Sequence, residues 1–395
     1  MPGSKKKRIL EAGRRARVLV VDDSPVMRRL VALALESEPW LEIVGTAQNG
    51  KEALERVSKL APDVVTLDIE MPEMDGLEAL KHLRQQAQMV RVVILSKHTE
   101  RGASATLEAL SLGADDYVTK MPPGKSVEDS TTKLRAELAP KIKQFFAFPG
   151  DVEPAAPQPP ERAAAPPAQK LEALKLEPLK LEPLVRPASI VPRIVVIGIS
   201  TGGPTALGRI LPQLPGDFGL PILIVQHMPA LFTKLLCERL QERSKICVRE
   251  AVEGEAVKAG AILVAPGDYH MRVELPSGSR QPRIALDQGP LENSCRPAVD
   301  CLFESVSKVY GGATIAAILT GMGQDGLRGA KMLRNSGATI LAQDEETSAV
   351  WGMPRAIAEA KIADAVLPLD DIIPQILRSC QRRMSRDELR LQETH

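Results

Sequence analysis

Residues 193–204 read Arg-Ile-Val-Val-Ile-Gly-Ile-Ser-Thr-Gly-Gly-Pro. An unbroken β-branched run of this kind is the pattern of a strand buried on both faces, as in parallel sheets covered by helices. It breaks into glycines at Ser200, and Pro204 is placed to open a helix in its first turn. Such a strand-to-helix turn brings backbone N–H groups and one side chain to the carboxyl end of a sheet, where α/β proteins bind and react. Gly198-Ile-Ser-Thr-Gly202 has the spacing of a nucleophile elbow, but the same turn also suits a phosphate. The rest of the chain has to decide between them.

Downstream, PILIVQH (221–227), AILVAP (261–266), RIALD (283–287), TIAAILTG (314–321) and TILAQD (339–344) continue the strand pattern. Helices are expected near 204–211, 232–243, 296–310 and 326–336. Closely spaced strands between Ala261 and Asp287, with a PSGS turn at 276–279, predict an antiparallel hairpin inserted in a mostly parallel sheet. Upstream, RVLVV, EIVGTA, DVVTLD, RVVILS and DDYVTK alternate with helical patterns, which predicts a separate parallel sheet of flavodoxin-like order 2-1-3-4-5. The expected fold class is therefore α/β twice over, a flavodoxin-like N-terminal domain (17–146) and a doubly wound C-terminal domain (193–385). Between them, residues 147–192 are rich in Pro and Ala and repeat KLEAL-KLEPL-KLEPL. Pro178 and Pro183 interrupt any helix there, so a semi-extended linker is expected. A basic extension (1–16) is expected to be solvated, and residues 386–395 form a tail.

With 51 basic and 50 acidic residues the net charge of +1 gives no general case for nucleic-acid binding. No run approaches the roughly 20 apolar residues of a membrane span, and the basic start lacks an apolar signal core, so a cytoplasmic protein without membrane insertion is expected. The five cysteines are odd in number and lack CxxC spacing, which fits reduced packing residues and not a zinc site.

In the first domain Asp22 and Asp23 end the first strand and Asp68 ends the third. Adjacent strands 1 and 3 would bring these acids together, and Mg²⁺, a hard cation, suits the crowded carboxylates. Ser96 and Lys120 end the fourth and fifth strands and add a hydroxyl and a positive charge to the same rim. That set can neutralise a phosphoryl group moving to a carboxylate.

In the second domain Ser200 needs a base. The chain has five histidines, of which His227 and His270 are the candidates, and His227 ends the strand after that of Ser200. Asp325, in a glycine-rich turn after an apolar strand, either orients the His227 ring through Nδ1 or caps the helix that follows.

LVVDDS, TLDIEMPEMDG and GADDYVTK resemble the receiver domain of two-component response regulators. The resemblance implies that Asp68 accepts phosphate from a histidine kinase, that Asp22, Asp23, Asp68 and the Glu70 backbone carbonyl hold Mg²⁺, and that Ser96 and Lys120 form the switch. Receivers usually follow the lysine directly with proline, whereas Met121 intervenes here before Pro122. GISTGGP, VQHM, APGDYHM, LTGMGQDG and QDEETSAVWGMPRA resemble the catalytic domain of bacterial chemotaxis methylesterases. The whole chain thus resembles the chemotaxis response regulators of the protein-glutamate methylesterase family. This implies a Ser200, His227, Asp325 triad with an oxyanion site at the backbone of Met322 and Thr201. It also implies glutamate methyl esters, and glutamines, of methyl-accepting chemoreceptors as substrates, with no cofactor for the esterase reaction. His270, Met353 and Arg296 carry less weight: His270 is expected to pack or touch substrate and not to catalyse, Met353 to fill the core or touch substrate, and Arg296 to meet an acidic receptor surface or simply to pair within the fold. The rival readings are a receiver-controlled binding protein without turnover, a methylesterase of a non-motility chemosensory pathway, and a receiver with a DNA-binding output. The last would need a smaller, basic helix-turn-helix module.

Overall fold

The structure, a computed structural model, describes residues 8–11, 13–86, 89–97, 99–120, 126–148 and 190–392, with backbone alone beyond Cys380. The linker repeat, Lys5 to Lys7 and the Met121–Pro122 step lie outside the described residues.

In the N-terminal half, β1 (Ala16–Val21), β2 (Leu41–Ala47), β3 (Val64–Asp68), β4 (Arg91–Lys97) and β5 (Asp116–Lys120) form a parallel sheet in the order β2-β1-β3-β4-β5. This is the expected order, and it follows from apolar strands that need helices on both faces. The covering helices are α1 (Pro25–Glu36), α2 (Gly50–Leu60), α3 (Gly76–Gln86), α4 (Glu100–Ser111) and α5 (Val127–Lys143). Their starts are coded locally: Ser24, Asn49, Thr99 and Ser126 each accept a backbone N–H of the first turn of α1, α2, α4 and α5. Val21 pairs with Leu67, so Asp22 and Asp68 leave the sheet side by side.

The described residues of the basic extension, 8–11 and 13–16, depart from the solvated chain expected there. Arg8–Ile9 pairs with Phe146–Ala147 in a short parallel ladder, and Arg14 reaches Asp63 at 3.1 Å. The physical reason is Leu10, which follows the basic run and is completely buried in the core beside Phe146.

In the C-terminal half, β6 (Ile194–Ile199), β7 (Ile222–Gln226), β8 (Cys247–Glu250), β9 (Ala261–Val264), β12 (Thr314–Ile318), β13 (Thr339–Gln343) and β14 (Ala365–Leu367) form a seven-stranded parallel sheet. Its order is β8-β9-β7-β6-β12-β13-β14. The helices are α6 (Gly203–Ile210), α7 (Ala230–Gln241), α8 (Val299–Val309), α9 (Leu327–Asn335), α10 (Met353–Glu359) and α11 (Leu369–Gln392), the last running past the expected domain end. The hairpin, β10 (His270–Glu274) with β11 (Arg283–Asp287), is antiparallel as expected but is not inserted in the sheet. Ala261–Val264 belongs to the parallel sheet, and a turn at Gly267-Asp268, with φ 67° at Asp268, leads the chain out before His270. The hairpin then rests on α8, where the Val273 N–H donates to Ser305 Oγ at 3.0 Å.

The two halves meet along α4 and β5 on one side and α6 and α7 on the other. Thr205 Oγ1 donates to the Leu110 carbonyl at 3.1 Å and Arg239 Nη2 to the Ser104 carbonyl at 2.7 Å. The Tyr117 ring stacks on Phe232 with centroids 4.8 Å apart. Among the described residues no helix is long and apolar enough to cross a membrane.

Candidate active site

All residues of β6 are buried, and the strand ends against Thr320, whose carbonyl accepts the Ser200 N–H at 2.9 Å. Gly202 has φ 80°, a conformation that L side chains resist, and a Cβ there would lie 2.5 Å from the Ala349 side chain. The glycines of the turn are therefore needed both for backbone conformation and for space. Ser200 itself is half-buried, and its hydroxyl makes no hydrogen bond among the described residues.

Register supplies the second group. Ile199 pairs with Gln226, so Ser200 and His227 leave neighbouring strands at one level. Gln226, itself buried, donates from Nε2 to the carbonyls of Ser200 (2.9 Å) and His227 (3.2 Å). It joins the backbones that carry the hydroxyl and the imidazole. Sequence reasoning passed over it, although a polar residue closing a fully apolar strand was a visible signal.

Asp325 lies 2.7 Å from His227, from Oδ2 to Nε2. The ring nitrogen expected was Nδ1, and the difference leaves Nδ1 as the nitrogen not engaged by the carboxylate. Asp325 also accepts the N–H groups of Val299 (2.6 Å), Asp300 (3.0 Å) and Gly326 (2.9 Å) and the Asn293 amide (2.8 Å). Asp325 therefore meets the His227 ring at Nε2 and not at the expected Nδ1, and it does not cap the helix that follows it. The helix it caps is α8, whose own N-cap position, Ala298, has no side chain able to do so. Burial works against ionisation of Asp325, yet His227 and these donors hold its carboxyl below the usual range. Burial alone would depress His227, but hydrogen bonds with Asp325 and the Cys295 thiol push it up to about 10.

Thr201 and Met322 flank this group. Among the described residues no acceptor faces the backbone N–H of either one. Thr201 Oγ1 donates across the domain boundary to Asp116 Oδ2 at 3.1 Å. Met322 is exposed on the catalytic side of a groove of about 260 Å³, with Phe146 and Phe148 of the N-terminal half on the other.

The lesser candidates have other partners. His270 Nε2 is bound to the Pro290 carbonyl at 2.9 Å, Arg296 Nη2 pairs with Asp268 at 2.6 Å, and Met353 is fully buried against Gly321.

In the N-terminal half, ligand oxygens of Asp22, Asp23 and Asp68 lie within 4.8 Å of one another. Lys120 Nζ is 2.7 Å from both Asp22 Oδ2 and Asp68 Oδ2. Burial pushes the Asp68 carboxyl above its usual range and the Asp22 charge adds to this, while Lys120 opposes both. The Ser96 hydroxyl is turned to α4, donating to the Gly102 carbonyl at 3.1 Å and accepting from Thr106 at 2.6 Å. Glu70 follows β3, and its side chain pairs with Lys97.

The receiver-domain family model ("Response regulator receiver domain") matches residues 18–128, and that of "CheB methylesterase" matches residues 195–376. A protein-glutamate methylesterase/protein-glutamine glutaminase of Trichodesmium erythraeum is 44% identical over 362 residues, covering 92% of this chain and 98% of its own. One from Symbiobacterium thermophilum is 46% identical over 363 residues, covering 92% and 96%. The crystal structure of the Thermotoga maritima CheB methylesterase catalytic domain is 44% identical, with a TM-score of 0.46, and covers 48% of this chain and 99% of that one. With relatives of this identity aligned along nearly their whole length, the chain belongs to the protein-glutamate methylesterase/protein-glutamine glutaminase family of chemotaxis response regulators.

Proposed function

We propose that the C-terminal domain hydrolyses γ-methyl esters of chemoreceptor glutamates through Ser200, His227 and Asp325, and that the receiver restrains it until Asp68 is phosphorylated. The observation that carries the esterase reading is the 2.7 Å His227–Asp325 contact, between the end of β7 and the loop that leads into α9. Ser200 Oγ attacks the ester carbonyl while His227, at the nitrogen free of Asp325, takes the hydroxyl proton. The N–H groups of Thr201 and Met322 receive the oxyanion. The proton then passes to the departing methoxide, methanol leaves, and water cleaves the acyl-enzyme by the same route in reverse. With a glutamine substrate the same steps release ammonia. The direct test is methanol release from a methylated receptor fragment with and without a small-molecule phosphodonor. Absence of release under both conditions would leave a binding protein in its place.

The receiver site suits Mg²⁺. Oδ2 of Asp22 and Oδ2 of Asp68 are buried with no hydrogen-bond partner beyond the Lys120 ion pair, and one lysine does not balance three carboxylates. Hard oxygen donors with excess negative charge match that ion. Asp22, Asp23, Asp68 and the Glu70 carbonyl would hold it, and it would supply charge neutralisation for phosphoryl transfer from a histidine kinase. Lys120 holds the Asp68 carboxylate in place, and the Ser96 hydroxyl, engaged with Gly102 and Thr106 of α4, would turn from them to meet the phosphoryl group. A kinase and receptor signalling regions both lie in the cytoplasm, which is the proposed location.

Restraint has a physical route in the Thr201–Asp116 hydrogen bond and the Met322 groove, because both proposed oxyanion residues lie against the receiver. Phosphorylation would shift the population toward an undocked arrangement. We expect Asp68→Asn to lose stimulation by a phosphodonor while keeping its basal rate. Deleting residues 1–189 should raise basal methanol release. Asp116→Ala, which removes one charged acceptor from the interface, should raise it by roughly tenfold. An unchanged basal rate in both unlocked forms would refute restraint by docking.

A further inference from the structure

The turn at residues 292–295 carries polar groups that the reaction above leaves unused. We propose that Asn293 is a positioning residue for the His227–Asp325 pair, its amide fixing the carboxylate whose other oxygen meets the imidazole. The proposal rests on the triad reading.

Asn293 and Ser294 have φ values of 52° and 63°, and backbone hydrogen bonds of 3.1 and 2.8 Å between Glu292 and Cys295 close the turn. Two successive positive φ values are unfavourable for L residues and least so for Asn and Gly at the first position. This turn aims one amide at two acids. Asn293 Nδ2 donates to Asp325 Oδ1 at 2.8 Å and to Asp300 Oδ2 at 3.1 Å. Both carboxylates are buried at the start of α8, and like charges so placed repel. A neutral donor shared between them orients Asp325 without adding charge. The same turn carries Cys295, whose interaction with the His227 ring helps to hold its pKa up, so the turn acts on both members of the pair. The remaining charged groups nearby are Arg328 of α9, which pairs with Glu292 and Glu304.

Because Asn293 is exposed, it can be replaced with little risk to the core. Asn293→Gly is the informative variant: glycine keeps the left-handed turn and removes only the amide. Phosphodonor-activated full-length protein would be compared as wild type, Asn293→Gly, Asn293→Asp and Asp325→Asn, by steady-state methanol release across pH and by thermal melting. For Asn293→Gly we expect kcat to fall by about tenfold to a hundredfold with KM unchanged, the size of one lost hydrogen bond to a charged group. The acid limb of its pH profile should move upward, since a carboxylate deprived of a donor holds the imidazolium more tightly. Asn293→Asp, which adds a third acid, should lose more. If Asn293→Gly keeps wild-type kcat and pH limb while Asp325→Asn is inactive, the positioning role alone is overturned. A lowered melting temperature with unaltered kcat and pH limb overturns it too, as a purely structural role. Should Asp325→Asn also stay active, it is the triad reading that fails.

Discussion

Alanine at position 200 is expected to abolish methanol release, with a loss on the order of a millionfold in kcat, the scale seen when a hydrolytic nucleophile is removed. The fold should not register the change. Ser200 is half-buried, its hydroxyl makes no hydrogen bond among the described residues, and the backbone bond to Thr320 survives the substitution. Surface changes without lost partners or cavities alter stability by about half a kcal/mol or less. Melting temperature and Asp68 phosphorylation should therefore match wild type, which separates a lost nucleophile from a lost structure. A companion pair tests the base. His227→Ala should lose the chemical step, whereas His270→Ala should act only through its contact with the Pro290 carbonyl. Wild-type esterase activity in Ser200→Ala, or a loss confined to His270→Ala, would remove the present assignment.

The strand order of the N-terminal sheet, and the strand ends at which candidate site residues stand, were legible because both follow from local chemistry. Apolar runs of five or six residues had to be buried strands, and a hydroxyl, an imidazole and three acids stood where those runs ended. The rule that open α/β sheets bind and react at the carboxyl ends of their strands then pointed to one edge. The partners of Asp325 were less legible. Its cap of α8 joins residues 26 apart in sequence, and no propensity reports such a pairing. Likewise Asn293 reads as an ordinary turn residue, since only the folded register shows that its amide reaches a carboxylate 32 residues away. Gln226 was visible as a polar residue closing an apolar strand but was given no role. The hairpin was recognised as a hairpin but joined to the wrong sheet, because strand spacing fixes neighbours in sequence and not the sheet they enter. Leu10 shows the same limit from the other side: a run of lysines and arginines dominated the reading of residues 1–16, and one apolar side chain decided the outcome.

Asp325→Asn should lower kcat by about ten-thousandfold, the scale known for losing the acid of a serine triad. The structure supplies the cause. Oδ1 accepts from Asn293, Asp300 and Gly326, while Oδ2 accepts from His227 and Val299. An asparagine has one oxygen to offer and would keep it toward the three donors, turning its NH₂ to His227 and the Val299 N–H. His227 must then accept at Nε2, which places its proton on Nδ1, the nitrogen proposed to receive the Ser200 proton. The base is thereby blocked, and a buried N–H is left without an acceptor at a cost of about 1–3 kcal/mol. The pH dependence carries a separate signature. The raised His227 pKa stabilises the fold fully below the unfolded value of about 6.5 and loses this as pH rises through the folded value of about 10. Asp325, depressed on folding, contributes above its unfolded value of about 3.9 and loses this as pH falls through the lower folded one. Both contributions coexist near pH 5 to 6, so the melting-temperature gap between wild type and Asp325→Asn should be widest there and narrow toward pH 10. Activity runs the other way, because the base works only when neutral: wild-type kcat/KM should climb through the alkaline range where the stability gap closes. A variant within tenfold of wild-type kcat, or a gap that stays constant from pH 5 to 10, would show that the 2.7 Å contact neither orients the base nor holds its charge.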